Sequence, residues 1–469
     1  VKTRPSMPVG SASFSRALAL LVAGTYFMEI LDGTIIATAA TGMAADLHVR
    51  PVDINLAMTA YLITLAVGVP ISGWLAERYG ARKVFTAAIA IFTVASLLCA
   101  LSPNLTFLCL ARMLQGAGGA MMVPVGRLLV LRDADRKDFL EAIAYLTWPG
   151  LIAPVIAPAL GGLLTTYASW HWIFLINVPL GVVAFAVTLR VVPSFRARKV
   201  PPPDWWGFVL TGTSLAALVI GLEMIASAPT PWPAVVLWLV LAALSGAAAL
   251  RWFGRARHPL LDLRALRIPT FRVGNGGGAL YRMVINAVPF LLPLMFMLGF
   301  GWTAFAAGLM TMAVFAGNVL IKPATSPLIR RFGFRTVLLL SNAGGAVVLG
   351  LCALLGSDTP LAVTAAVLVA SGVLRSIGFS AYNTLQFADV PKARMTGANT
   401  LSSTIAKIAS GLGVAVGALI LRAAQAMLPG AAPVASYQWS FAVLGVLMLY
   451  PVAEALAMHR TAGEGVRTR

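Results

Sequence analysis

Fourteen long apolar runs follow one another along this chain, at about 15–40, 53–73, 84–101, 105–129, 140–165, 171–192, 205–226, 234–253, 273–298, 303–325, 336–356, 361–387, 397–423 and 437–458. Each is close to the roughly 20 residues that a helix needs to cross a bilayer. None alternates polar and apolar residues as a barrel strand does. Backbone polar groups in lipid must be satisfied within the segment, so such runs are read as helices. Composition agrees: 59% of the 469 residues are hydrophobic and 11% charged, against about 25% charged in a soluble chain. Mean hydropathy is +0.87. These values exclude disorder and a water-soluble fold. The expected class is an all-α polytopic membrane protein with fourteen transmembrane helices.

The net charge of +19 invites a nucleic-acid reading, which the placement of the charges removes. With the N-terminus inside, about 24 of the 35 Lys and Arg residues fall in alternate loops and tails, at 1–16, 74–83, 131–139, 193–204, 254–270, 326–335, 388–396 and 459–469. The opposite loops hold only Arg50. Basic residues flanking a spanning segment resist translocation, so this asymmetry predicts both termini in the cytoplasm of a multi-pass inner-membrane protein. The surplus charge is topological. Cys99, Cys109 and Cys352 lie inside apolar runs and offer no disulfide framework. The first apolar run outlasts a short signal-peptide core, so it is read as a spanning helix.

An internal repeat divides the chain. Gly73-Trp-Leu-Ala-Glu77-Arg78-Tyr-Gly80-Ala-Arg82-Lys83 corresponds to Ser326-Pro-Leu-Ile-Arg330-Arg331-Phe-Gly333-Phe-Arg335 at an offset of 253 residues. Glycine suits a turn with positive φ, and the cations suit an inner loop. Two homologous six-helix halves follow, at 1–195 and 257–469, with an inserted helix pair at 196–256. Related bundles around a midplane site are the layout that permits alternating access.

These residues also carry a resemblance. The first loop is similar to the signature loop of the major facilitator superfamily, with Glu77 where that family usually has aspartate. Leu31-Asp32-Gly33-Thr34-Ile35-Ile36 and Leu110-Ala-Arg112-Met-Leu-Gln115-Gly116-Ala-Gly118-Gly119 resemble the first- and fourth-helix motifs of its fourteen-helix drug:proton antiporter branch. The stretch from Gly150 to Gly162, with Pro154, Pro158, Gly161 and Gly162, resembles the fifth-helix antiporter motif. One usual glycine is replaced there by alanine. His258 to Arg272 is similar to the basic linker of that branch. The runs Gly119 to Arg127 and Ala168 to Asn177 narrow the resemblance to a multidrug-resistance type. The resemblance implies antiport driven by the proton motive force, with Asp32 as the proton-coupling carboxylate and Arg112 taking part in proton transfer. It also implies a cytoplasmic gate that involves Gly73, Glu77, Arg78, Gly80, Arg82 and Asp133.

Charges deep in a membrane are costly and therefore functional candidates. Glu29 and Asp32, three residues apart, share a helix face and could load a proton; a structural hydrogen bond is the plainer alternative. Arg112, beside Gln115, could modulate Asp32 or pin a helix contact, against Glu29 for example. Arg282, Arg375 and Lys407 each fall near the middle of a run, and Glu29 maps onto Arg282 at the repeat offset. With Gln115 they are the expected substrate cavity. They could neutralise Glu29 and Asp32, bind an anionic or neutral polar solute, or turn into helix contacts. Lys322 is close enough to a loop to snorkel. The four histidines are scattered and no Cys/His spacing suggests a metal. No Gly-x-x-x-x-Gly-Lys-Ser/Thr loop offers direct ATP coupling.

The expected function is secondary active transport, with efflux of small organic or amphipathic solutes in exchange for protons. No enzyme, cofactor, nucleic-acid partner or obligate protein partner is expected. Proton symport, or a non-transporting receptor or scaffold, are the alternatives.

Overall fold

The computed structural model describes residues 15–133, 138–192, 200–226, 230–430 and 432–466. The side chains of Asp133 and Pro158 lie outside the described residues. The first part of the chain forms α1 (Arg16–Asp46), α2 (Asn55–Gly68), α3 (Ser72–Tyr79), α4 (Ala81–Ala100), α5 (Leu105–Asp133), α6 (Phe139–Tyr167), α7 (Trp172–Leu175) and α8 (Asn177–Val191). Two further helices, α9 (Trp205–Ala226) and α10 (Trp232–Arg255), pack on each other. The last part forms α11 (Pro269–Asn275), α12 (Gly277–Leu294), α13 (Ala304–Leu320), α14 (Lys322–Cys352), α15 (Leu361–Ala388), α16 (Met395–Met427), α17 (Pro433–Leu447) and α18 (Leu449–Ala457). All of the long elements are helices, as lipid requires.

The pairing of helices repeats between the two parts. α1 packs on α6 as α12 packs on α16; α2 on α5 as α13 on α15; and α4 on α5 as α14 on α15. The repeated loop is almost entirely helical, with the expected positive-φ turn confined to one residue. Only one glycine in each copy leaves helical geometry: Gly80 at φ 93°, ψ 131°, and Gly333 at φ 79°, ψ 162°. The cause is physical, since a glycine at positive φ reverses the chain within one residue and the helices resume at once. The cations two residues on act alike. Arg82 donates to the carbonyl of Leu189 on α8, and Arg335 donates to that of Leu456 on α18 at 2.9 Å.

Among the described residues, twelve helical segments are long and apolar enough to cross a membrane. Fourteen runs were expected. The run at 140–165 is α6, which is 29 residues long and includes positions outside the described side chains. The run at 303–325 is divided between α13, of 17 residues, and the first turn of α14. Away from the membrane, Arg50 donates to Asp53 at 2.8 Å, closing the turn between α1 and α2. That guanidinium holds the Asp53 carboxyl below the usual carboxylate range.

The two parts of the chain meet at the end that carries the glycine turns. Asn399 of α16 donates to the Pro124 carbonyl of α5 at 2.8 Å. Gly73 of α3 lies so close to Thr400 of α16 that a Cβ at position 73 would collide with the hydroxyl. α9 bridges the parts at their seam, resting on both α2 and α16.

Replacing Gly333 by alanine should cost about 1–3 kcal/mol, the penalty for forcing a Cβ into a backbone region suited to glycine. The check is a lower melting temperature in detergent, matched by Gly80→Ala; unchanged melting of both would show that the turns relax without strain.

Candidate functional site

Glu29 and Asp32 lie one turn apart on α1, yet their carboxylates part company. Asp32, 1% exposed, is enclosed by α4, α5 and α8. Its Oδ2 accepts from Arg112 Nη1 at 2.5 Å, and its Oδ1 accepts from Gln115 Nε2 at 2.9 Å and Asn177 Nδ2 at 3.0 Å. Gln115 completes the enclosure. Its Oε1 accepts from Arg112 at 2.7 Å and its Nε2 also donates to Ser96 at 2.8 Å. The Arg112 guanidinium stacks 4.0 Å from the centre of the Tyr61 ring, a cation–π contact in a dry environment. Gly116 and Gly118 place α5 against the backbones of α2 and α4 and so bring Arg112 to this depth.

A carboxylate and a guanidinium withdrawn from water this far persist only when the remaining lone pairs and protons find partners. Asp32 has three donors. Arg112 is therefore the partner of Asp32 rather than of Glu29. Gln115 belongs to this enclosure and not to the lining of the cavity where it was expected, because its amide is engaged on both sides.

Glu29, 3% exposed, points the other way. Its Oε1 lies 2.8 Å from Lys407 Nζ on α16, which ties the first part of the chain to the second. Its Oε2 has no hydrogen-bond partner among the described residues. Both residues line a cavity of about 290 Å³ that Arg127, Arg282 and Arg375 also face. Arg282 donates to Asn383 at 3.0 Å and lies over Phe379 at 5.2 Å. Arg282, Arg375 and Lys407 thus share one chamber with Glu29, and the repeat offset places Glu29 and Arg282 on the same cavity. A larger groove of about 1060 Å³, bounded by α6, α13 and the start of α15, is lined by residues such as Ile152, Trp302 and Met310 and by no charged residue. Charge places the site in the smaller chamber.

The remaining expectations are divided. Pro154 lines the chamber while α6 continues unbroken through it. Gly161 is buried and Gly162 has open space beside it. At the turn end, Glu77 takes part in none of the ion pairs among the described residues, Arg78 has an interaction partner, and Gly73 lies against Thr400 of α16. Lys322 does not snorkel. It is 2% exposed and donates to Ser380 at 2.7 Å, because α14 begins with it inside the bundle rather than at an interface. Three further residues were not singled out as site candidates. Arg127 lies near the end of an apolar run, Asn177 opens a helix where a polar residue is unremarked, and Tyr61 reads as core.

Paired helical halves around a charged midplane chamber define a multi-pass secondary transporter. The chain belongs to the Major Facilitator Superfamily, whose family model matches residues 22–254 and 276–456. It is similar to MdtD, a protein named for multidrug resistance, of Pectobacterium atrosepticum, with 39% identity over 404 residues covering 86% of each chain. The MdtD of Salmonella paratyphi A is 39% identical over 411 residues, covering 86% of this chain and 85% of that one. Among solved structures, the human organic anion transporter MFSD10 aligns with a TM-score of 0.64 at 13% identity, over 94% of this chain and 99% of its own. The proton:xylose symporter XylE aligns at 0.63 and 12% identity, over 95% and 96%. At these identities the two structures bear on fold alone. The family makes the chain a transporter of small-molecule substrates and not an enzyme.

Removing Arg112 as Arg112→Gln should destabilise the protein by about 3–5 kcal/mol, since Asp32 would be left buried without its counter-charge. Asn177→Ala removes one donor and should cost about 1–3 kcal/mol. Melting in detergent checks both, and the expected order is Arg112→Gln below Asn177→Ala below the parent.

Proposed function

We propose that this chain is a proton-driven antiporter that exports small organic or amphipathic solutes across the bacterial inner membrane by alternating access. The observation that carries this reading is the pair of charge arrangements on α1. Asp32 is enclosed with Arg112, while Glu29 clasps Lys407 of the opposite half. Solute enters from the cytoplasm with Asp32 ionised. The halves rock, and protons arriving from outside load the α1 carboxylates and displace the solute. A proton on Asp32 releases Arg112, and one on Glu29 releases Lys407, so loading loosens the tie between the halves. The protonated carrier then returns. Bacterial relatives named for multidrug resistance support export as the direction.

The accompanying topology is fourteen spanning helices, the twelve described above together with α6 and α13. The six-helix halves lie at 1–195 and 257–469, with the inserted pair at 196–256. Both termini are cytoplasmic, on the strength of the basic-residue asymmetry. The gate is then the turn end, where Gly73 presses on α16, with Glu77, Arg78, Gly80, Arg82 and Asp133 around it. Pro154, Pro158, Gly161 and Gly162 support the packing of α6 beside the chamber.

One observation favours symport as a second reading. A solute acid that captured Lys407 would free Glu29 to accept a proton, and the two would load together. Vesicles separate the readings: on adding solute to one side, antiport drives protons towards that side and symport drives them away from it. Replacing Asp32 by asparagine should abolish uphill export driven by a pH gradient while downhill solute exchange continues. Undiminished uphill export by that variant refutes the coupling role.

A further inference from the structure

The chamber described above holds more positive charge than its own residues neutralise. Arg127, Arg282, Arg375 and Lys407 face it, and the carboxylate among its lining residues is Glu29. That carboxylate is taken by Lys407. Its second oxygen has no hydrogen-bond partner among the described residues, so no such bond ties it to the three arginines. Arg282 has Asn383 as a neutral acceptor. Arg127 Nη1 and both Nε and Nη1 of Arg375 are shielded from solvent and lack any acceptor among the described residues. Arg127 and Arg282 also stand close enough for their charges to repel. Buried donors without acceptors on Arg127 and Arg375, with Arg127 and Arg282 repelling each other, are unfavourable on their own. The arrangement becomes favourable when an acid occupies it, because the planar fork of a guanidinium matches carboxylate, phosphate or sulfonate oxygens.

We propose that Arg127, Arg282 and Arg375 form a seat for the acidic group of an organic anion, which makes the transported solute an anion held between the two halves. The inference rests on the transport reading above and narrows its substrate class. Arg127 comes from α5, Arg282 from α12 and Arg375 from α15, so a single acid would bind both halves at once. Tyr26, Ile30, Val123 and Phe379 supply the walls for the organic part. A chamber of about 290 Å³ is at the small end of ligand sites, suited to a compound of one ring.

The test uses the full chain in phosphatidylcholine nanodiscs, titrated calorimetrically with benzoate, phthalate, inorganic sulfate and tetraphenylphosphonium. Benzoate or phthalate should bind, and tetraphenylphosphonium should not. Arg127→Gln and Arg375→Gln should each weaken the acid at least tenfold, with Arg127→Lys in between and the exposed Arg460→Gln unchanged. Unliganded Arg127→Gln should melt no lower than the parent, because it relieves repulsion; a purely structural arginine would melt lower. Parental affinity in both glutamine variants, or preference for the cation, overturns the seat. So does binding of sulfate alone, which marks a site for an inorganic anion. Phosphatidylglycerol discs form a second arm: loss of acid binding only there assigns the seat to a lipid headgroup and overturns the solute assignment. The antiport reading fails separately. Parental export of a neutral or cationic solute by Arg127→Gln sinks the seat and leaves antiport standing. Absence of any pH-driven flux in the parent, with acid binding intact, does the reverse.

Discussion

A carboxylate in the middle of a bilayer must find its hydrogen-bond donors in the protein, and Asp32 finds three, two on α5 and one on α8. Much of the first half follows from that requirement. α4 and α5 approach closely so that Ser96, Arg112 and Gln115 can reach one another, and α8 begins where Asn177 can close the enclosure. The glycines of α5 serve this approach. The packing around Asp32 is directional, and it fixes how the four helices are rotated.

Glu29 shows the opposite solution to the same problem. It keeps one oxygen uncommitted and lends the other to a lysine across the seam. Asp32 is thus held by three donors and is not among the residues that line the chamber, whereas Glu29 faces it. The two acids on one helix face different partners, Asp32 the polar cluster of its own half and Glu29 the chamber and the opposite half.

Much of this was legible in the residues themselves. Helical spans are written in the length of apolar runs, because lipid leaves the backbone no alternative, and the repeat around Gly80 and Gly333 announces two related halves. The depth of Arg282, Arg375 and Lys407 could be counted from the nearest loops. What could not be read is direction around a helix axis when nearly every face is apolar. Gln115 was therefore placed in the chamber when it faces Ser96, and Glu29 and Asp32 were placed together when they diverge. Lys322 went astray for a related reason. Distance along the chain from a loop says how far a cation could reach, but not whether neighbouring helices cover it. Asn177 and Tyr61 gave no signal, since amides and phenols in apolar runs are common and only a neighbour reveals their purpose.

The bridging position of α9 has a mechanical corollary. It rests on α2 through Gly212 against Val67 and on α16 through Leu222 against Gly411, and both contacts are small and apolar. If the two bundles tilt against each other, this helix must ride with one and slip over the other, like a bearing pressed between moving plates. Its smooth flanks would keep friction low along that line, while the outward face, bathed in acyl chains, would let the thickness and fluidity of the surrounding bilayer set how freely the carrier turns over.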